Sequence, residues 1–287
     1  MKYLDLPQKQ QSYFLRTIKE KTSYSWSKIA DILKVNRSMI FFYLNEHSKL
    51  PYNHYLKLCK LANVEMNCKI GLLEINREIV IRHPTLSTTL AEFLGALAGD
   101  GHVNNITFEV SISMDKDLDL YYSNHIVKMF TKLFGVKARK YTQNNKVKCF
   151  IYSKRLVFFL SKRFRVPIGK KKDKLHIPKG VLRKKVLTRA YIRGLFDTDG
   201  SFHRHYKNDS MIGIISTDRT FISEIRQALR GLGFVTSLNG KNLNIYRKKD
   251  IQRFFKEIKP SNKKHLTKYQ YYVKNGRVPL TNQILNR

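Results

Sequence analysis

The sequence predicts an α+β fold, a pseudo-twofold pair of α-β-β-α-β-β-α halves preceded by a small all-α module. Three observations carry this. A short apolar segment ending in Asp-Gly occurs twice, and the sequence around it repeats. Within a copy the hydrophobic period switches between about 3.6 and 2, the marks of helix and strand. The first 80 or so residues keep helical spacing throughout. The expected domains are residues 1–82, 86–187 and 188–287.

In the leading module, Trp26-Ser-Lys-Ile-Ala-Asp-Ile-Leu33 is a short amphipathic helix and Lys34-Val-Asn36 a tight connection. Arg37-Ser-Met-Ile-Phe-Phe-Tyr-Leu44 is a second helix, with Asn36 as its expected cap. Ile29, Ala30, Leu33, Val35, Ile40 and Leu44 form a common core. Residues 12–66 resemble the lambda-repressor-like helix-turn-helix family. That resemblance implies a second helix in a DNA major groove, with Asn36, Arg37, Ser38 and Phe41 near the bases. His83-Pro84 marks the boundary, since proline resists continuing a helix and Thr85 and Ser87 favour starting one.

Beyond it, Leu90, Phe93, Leu94 and Leu97 have helical spacing. Ile106, Phe108, Val110 and Ile112 alternate with polar residues and predict a strand. Ile126, Met129, Phe130 and Leu133 return to helix, Lys148 to Tyr152 reads as strand, and Leu156 to Leu160 as helix. Such a sheet has one apolar face for helices and one polar face for a ligand. Phe93-Leu-Gly-Ala-Leu-Ala-Gly-Asp-Gly101 recurs as Ile192-Arg-Gly-Leu-Phe-Asp-Thr-Asp-Gly200, and further anchors follow in the same order. Ile112-Ser-Met-Asp115 parallels Ile215-Ser-Thr-Asp218, Leu133-Phe-Gly-Val136 parallels Leu232-Gly-Phe-Val235, and Phe150-Ile-Tyr-Ser-Lys154 parallels Asn244-Ile-Tyr-Arg-Lys248. Val166-Pro167 with Lys170-Lys171 parallels Lys259-Pro260 with Lys263-Lys264.

Each motif ends an apolar helix with Asp-Gly. Glycine there is the expected helix stop, entering the left-handed region. The aspartate then faces the negative end of the helix dipole, a poor place for a carboxylate unless a cation sits nearby. Gly95 and Gly99 in one helix, and Gly194 and Thr198 in the other, are small residues four apart that let helix backbones approach. Packed together, these helices would converge Asp100 and Asp199. Two carboxylates with divalent metal ions suit phosphodiester cleavage.

The charge names the partner class. Lys plus Arg number 55 against 21 acids, a net charge of +34, and such a field attracts polyanions, nucleic acid first. Cys59, Cys68 and Cys149 show no C-x-x-C spacing, which speaks against a disulfide framework or a cysteine zinc site. The most apolar stretch, Leu86 to Gly99, is too short to cross a bilayer, so no membrane role is expected. A reducing, cytoplasmic setting is expected, and an organellar origin is also compatible with it.

The two motifs resemble those of the LAGLIDADG, or dodecapeptide, homing endonucleases over residues 86–275. The resemblance implies a monomeric, Mg²⁺-dependent endonuclease, with Mn²⁺ able to substitute, cutting double-stranded DNA at a long asymmetric site and promoting intron mobility. It implies that Asp100 and Asp199 bind the metals, with Gly99 and Thr198 beside them, and that Lys171 and Lys264 are the basic residues near the scissile phosphates. Asp197 fits a further acidic position of the family motif, but Ala98 does not, so no catalytic role is expected there. The strands are expected to read bases through Asn104, Thr107, Glu109 and Ser111 in the first half and His203, His205, Asn242 and Asn244 in the second. The His203-x-His205 pair has no evident partner ligands for zinc. The same family includes RNA maturases that would bind intron RNA, and the fold also serves non-cleaving transcription regulators. Both ends of the sequence lack protein-splicing residues, so an intein context is not expected.

Overall fold

The computed structural model describes residues 2–64, 70–74, 79–206, 209–281 and 283. Cys68 lies outside the described residues. The chain forms two units, Met1–Arg77 and Glu78–Arg287.

The first unit runs β1 (Lys2–Asp5), α1 (Gln10–Thr22), α2 (Trp26–Leu33), α3 (Arg37–Leu44), α4 (Tyr52–Ala62) and β2 (Gly71–Glu74). Ser25 caps α2 by accepting from the Lys28 amide, and Lys34 turns left-handed to end it. Ile29, Ala30, Leu33, Ile40 and Leu44 are buried with Phe14, Leu15, Ile18 and Leu58, and Val35 packs against them. Gln11 is buried and holds the loop after α3: its amide donates to the Tyr43 and Ser48 carbonyls, and its oxygen accepts from the Leu50 amide. Two expectations are corrected. The unit is not all-α, because β1 and β2 pair antiparallel from Lys2↔Glu74 to Asp5↔Gly71. Their partners are far apart in sequence, so no local period reveals them. Asn36 does occupy the cap position of α3, but its side chain makes no capping bond.

The second unit begins with α5 (Thr88–Ala98), β3 (Gly101–Val103), β4 (Glu109–Asp115), α6 (Leu120–Phe134), β5 (Arg139–Gln143), β6 (Lys146–Tyr152) and α7 (Lys154–Phe164). After a short α8 (Lys179–Leu182) the series returns as α9 (Lys185–Asp199), β7 (Gly200–Arg204), β8 (Ser210–Ile215), α10 (Arg219–Gly231), β9 (Ser237–Asn239), β10 (Asn242–Ile245) and α11 (Lys248–Glu257), followed by α12 (Lys263–Asn275). The order α-β-β-α-β-β-α thus occurs twice. The two antiparallel sheets have matching strand orders, β3-β4-β6-β5 and β7-β8-β10-β9. One continuous core joins both halves, from Ile81 through Phe130 and Phe196 to Ile258. Ile81 is buried, and the Arg82 amide donates to the Phe134 carbonyl, so the second core starts before Pro84.

The halves meet where α5 packs on α9. A Cβ added to Gly95 would lie 2.0 Å from the Tyr191 carbonyl oxygen, and one on Gly194 would lie 1.9 Å from that of Glu92. Only glycine permits backbones so close.

Three local expectations are corrected. The first strand does not run through 106–112. Asn104 Oδ1 accepts from the Ile106 and Thr107 amides, and Phe108 has φ +54°, so residues 104–108 form the hairpin turn and β4 starts at Glu109. The motif glycines do not turn left-handed: Gly200 is extended (φ −86°, ψ 159°), and Gly101 begins β3 without a positive φ. They are glycine for space, since a Cβ would come within 2.4 Å of the Leu97 oxygen at Gly101 and of the Phe196 oxygen at Gly200. Finally, the residue placed like Asp218 is Asp119, not Asp115. Asp119 and Asp218 each stand at the head of the helix that follows the first hairpin of a half.

Candidate active site and nucleic-acid interface

Both motif aspartates leave their helices at the same end of the α5–α9 seam. A Cβ on Gly99 would fall 3.2 Å from Asp199 Cγ, and 2.1 Å from Thr198 Oγ1. Both residues are exposed to solvent, yet surrounded by enough protein to weaken hydration. That desolvation, reinforced by the charge of Asp100, pushes Asp199 up to about 7. Desolvation also raises Asp100, with Lys264 and Lys171 pulling the other way and Asp119 adding to the rise. A desolvated carboxylate further disfavoured by a neighbouring acid marks a site that gains by accepting a cation.

Lys171 reaches this end of the seam from the loop after α7. Its ammonium donates to the carbonyls of Leu97, Ala98 and Gly99, the open C-terminus of α5. It thereby answers the helix dipole, and it also engages the Gly99 oxygen. Burial lowers its affinity for a proton, while Asp199 and Asp100 oppose the loss. Lys264, in the first turn of α12, lies 3.0 Å from Asp119 Oδ1. The two lysines, matched by the repeat, are therefore held by different devices. Thr198 Oγ1 donates back to the Gly194 and Leu195 carbonyls. A cleft beside Asp199 is lined by Gly99, Lys171, Lys172, Ser216, Thr217 and Asp218.

A buried polar lattice links residues of the two motif helices to the segment after α11. Asp197 accepts from the Ser261 and Asn262 amides at 2.8 and 3.2 Å. Glu92 meets His125 (2.7 Å), Ser261 Oγ (2.8 Å) and Arg193 (3.0 Å). Burial disfavours the Glu92 charge, but these partners hold it below the usual carboxylate range.

Register assigns each half a polar sheet face. In the first, His102, Ser111, Phe150 and Arg139 align across four strands, and Ser113, Lys148 and Tyr141 across three. Glu109 and Ser111 share this face, but they are buried and bonded to each other at 2.8 Å, with Lys148 2.6 Å from Glu109. Burial opposes the Glu109 charge; Lys148 and Ser111 nevertheless hold it below its ordinary value. Asn104 and Thr107 lie in the hairpin turn rather than on the strands. Arg139, Tyr141, Lys146 and Lys148, which sequence reasoning passed over, stand on the face itself. For Lys146 and Lys148 the alternation in Lys146-Val-Lys-Cys-Phe-Ile-Tyr152 carried that signal.

In the second half His203, Asn242 and Asn244 share the polar face with Ser201, Met211 and Gly213. Asn244 is nearly buried and donates to the Tyr246 hydroxyl. His205 follows β7, its ring 4.9 Å from that of Tyr246. In the first unit Asn36, Arg37, Ser38 and Phe41 are all exposed around the start of α3. The Arg37 guanidinium sits 5.7 Å from the Phe41 ring centroid.

Residues 187–259 match the family model of the LAGLIDADG-like domain. The match spans α9 to α11 and so contains the second motif with Asp199. This LAGLIDADG-like half has its structural counterpart in the first half through the repeated element order. A 180-residue stretch is 31% identical to the replication factor C small subunit of Methanocaldococcus jannaschii, covering 61% of this chain. That alignment spans only 9% of the relative's length. Among solved structures, the homing endonuclease I-DmoI in complex with DNA and Ca is similar with TM-score 0.47 and 16% identity, over 61% of this chain and 91% of that one. The I-WcaI homing endonuclease bound to its DNA gives 0.44 and 18%, over 61% and 83%. The N-terminal LAGLIDADG domain of DUF199/WhiA gives 0.43 and 14%, over 61% and 83%.

Proposed function

We propose that this protein is a site-specific endonuclease that hydrolyses both strands of duplex DNA at one long asymmetric site. The observation that carries the reading is the pair Asp100 and Asp199, brought together at one end of the glycine seam with a lysine from each half beside them. Their donor chemistry suits Mg²⁺. Among the described residues no three His, Cys, Asp or Glu side chains form a metal cluster, and Mg²⁺ is commonly held by one or two carboxylates with waters and substrate phosphates completing its shell. A divalent cation between Asp100 and Asp199 would supply Lewis acidity to the scissile phosphates. Lys171 and Lys264 place positive charge where the phosphate becomes more negative. Mn²⁺, similar in size and ligand preference, should substitute.

The polar faces of the two sheets supply the groove contacts. His203 is pushed down by burial, with Lys268 and His205 nearby, so its neutral imidazole offers both a donor and an acceptor to a base edge. Phosphate contacts from Arg139, Lys146 and Lys148 set the register. The α2–α3 pair adds a helix-turn-helix contact through Arg37 and Phe41. Because one chain supplies both acids, it acts as a monomer, and intron mobility is the biological setting this activity fits.

The test is selection of cleaved sites from a random duplex library with Mg²⁺. A single non-palindromic consensus, cut in both strands and lost in Asp100→Asn and Asp199→Asn, supports the reading. A bound but uncut consensus would make the protein a regulator, and binding confined to structured RNA would make it a maturase.

A further inference from the structure

Asp119 stands at the N-cap of α6, yet its side chain caps nothing there. Its counterpart Asp218 does cap α10, accepting from the Phe221 amide at 3.0 Å, and its other oxygen accepts from the Leu175 amide. A side-chain cap stabilises a helix by about 1 kcal/mol, so the first half forgoes a contribution that the second half keeps. The carboxyl of Asp119 is instead buried; one oxygen accepts from the Asp115 amide of its own half at 3.3 Å, and the group also reaches across the interface between the halves. Asn262 Nδ2 donates to its Oδ1 at 2.6 Å, and Lys264 Nζ lies 3.0 Å from the same oxygen. Asn262 is itself fixed: its amide donates to Asp197 Oδ1, its side chain also donates to the Asp197 carbonyl, and its Oδ1 accepts from the Lys264 amide. Lys264 is mostly buried, and its charge favours the ionised form of Asp100. Lys171, by contrast, rests on neutral carbonyls.

We infer that Asp119 is a positioning residue: with Asn262 as a strut, it holds the Lys264 ammonium beside Asp100 and so arms one of the two cleavage events. This rests on the nuclease reading above. The two lysines would then be separable, Lys264 depending on a carboxylate from the opposite half and Lys171 only on the end of α5.

The experiment compares wild type, Asp119→Asn, Lys264→Met and the double variant on supercoiled DNA carrying the selected site. Far-UV spectra and DNA affinity in Ca²⁺ confirm folding and binding. The expected result for Asp119→Asn is unchanged DNA affinity, single-turnover conversion of nicked to linear DNA slowed about tenfold or more, the scale of one charge-assisted hydrogen bond, and accumulation of nicked circles. In the Lys264→Met background the same substitution should have no further effect, which a merely structural role would not produce. Equal slowing in both backgrounds, or no accumulation of nicked DNA, overturns the inference. An independent readout is the rate at which an amine-reactive reagent labels Lys264, resolved by mass spectrometry. Loss of Asp119 should speed labelling several-fold at Lys264 and leave Lys171 unchanged. Unchanged labelling of Lys264 overturns the positioning role even if the wild-type protein cuts no DNA, the outcome that would defeat the nuclease reading alone.

Discussion

Asp199 is under two opposed demands. As a carboxylate beside Asp100 in partly desolvated surroundings it is held up to about 7, well above the ordinary value of 3.8 for the unfolded chain. Between those values the folded state keeps a proton that the unfolded state has released, so this group's contribution to stability falls as pH rises from about 4 to 7. Asp199→Asn should therefore raise the melting temperature, and by more at pH 8 than at pH 5. A melting curve that is unchanged or lowered at pH 8 would contradict the desolvated pair. The same titration governs a cation site, since a proton and a metal compete for the oxygens. Metal-dependent cleavage at fixed subsaturating Mg²⁺ should climb as pH rises through about 7 and level off above it, and a flat profile from pH 6 to 8 would speak against a metal role for Asp199. Both acids were legible in the sequence because they end a repeated motif. Asp119 was not, because its importance comes from Asn262 and Lys264, more than a hundred residues away, and the repeat pointed to Asp115 instead.

At the scale of elements, the α5–α9 seam sets the geometry. A methyl on Gly194 would overlap the Glu92 carbonyl, and carbonyls inside a helix cannot move aside cheaply. Gly194→Ala should cost about 2 kcal/mol or more of stability by forced separation of the helices, and cleavage should suffer even at temperatures where the protein remains folded. Chemical denaturation of the variant checks the first part, and a loss below about 0.5 kcal/mol would mean the helices can shift freely. The small-residue spacing revealed this seam, and the alternation of periods revealed the order of helices and strands. Strand limits were less legible. Ile106 and Phe108 continued the alternation, but Asn104 bonds two amides ahead and Phe108 adopts a positive φ, and that turn chemistry overrides the pattern. The β1–β2 ladder was invisible for a different reason, since each strand is four residues long and its partner lies on the far side of four intervening helices in the sequence.

For the whole molecule, a net charge of +34 implies that DNA affinity should fall steeply with salt, because each neutralised phosphate releases counterions. Binding isotherms from 50 to 300 mM salt that superimpose would show that the charge is not used on nucleic acid. The first unit has its own core, and the second core begins at Ile81. A protein reduced to residues 79–287 should fold and cut the same central sequence with weaker affinity. Loss of cleavage at all concentrations from that folded fragment would place part of the chemistry in the first unit.

Each half also holds the other's trailing segment. Asp119 of the first half binds Asn262 and Lys264 beyond α11, and Asp218 of the second half binds Leu175 beyond α7. Hybrid chains assembled from halves of different parents must therefore inherit compatible clasps as well as a compatible glycine seam. A crossover near residue 183, between the two repeats, separates each clasping acid from its original partner segment. Retargeting by exchange of halves should accordingly work best when residues 165–178 and 258–264 are exchanged as a reciprocal set, each travelling with the acid that grips it.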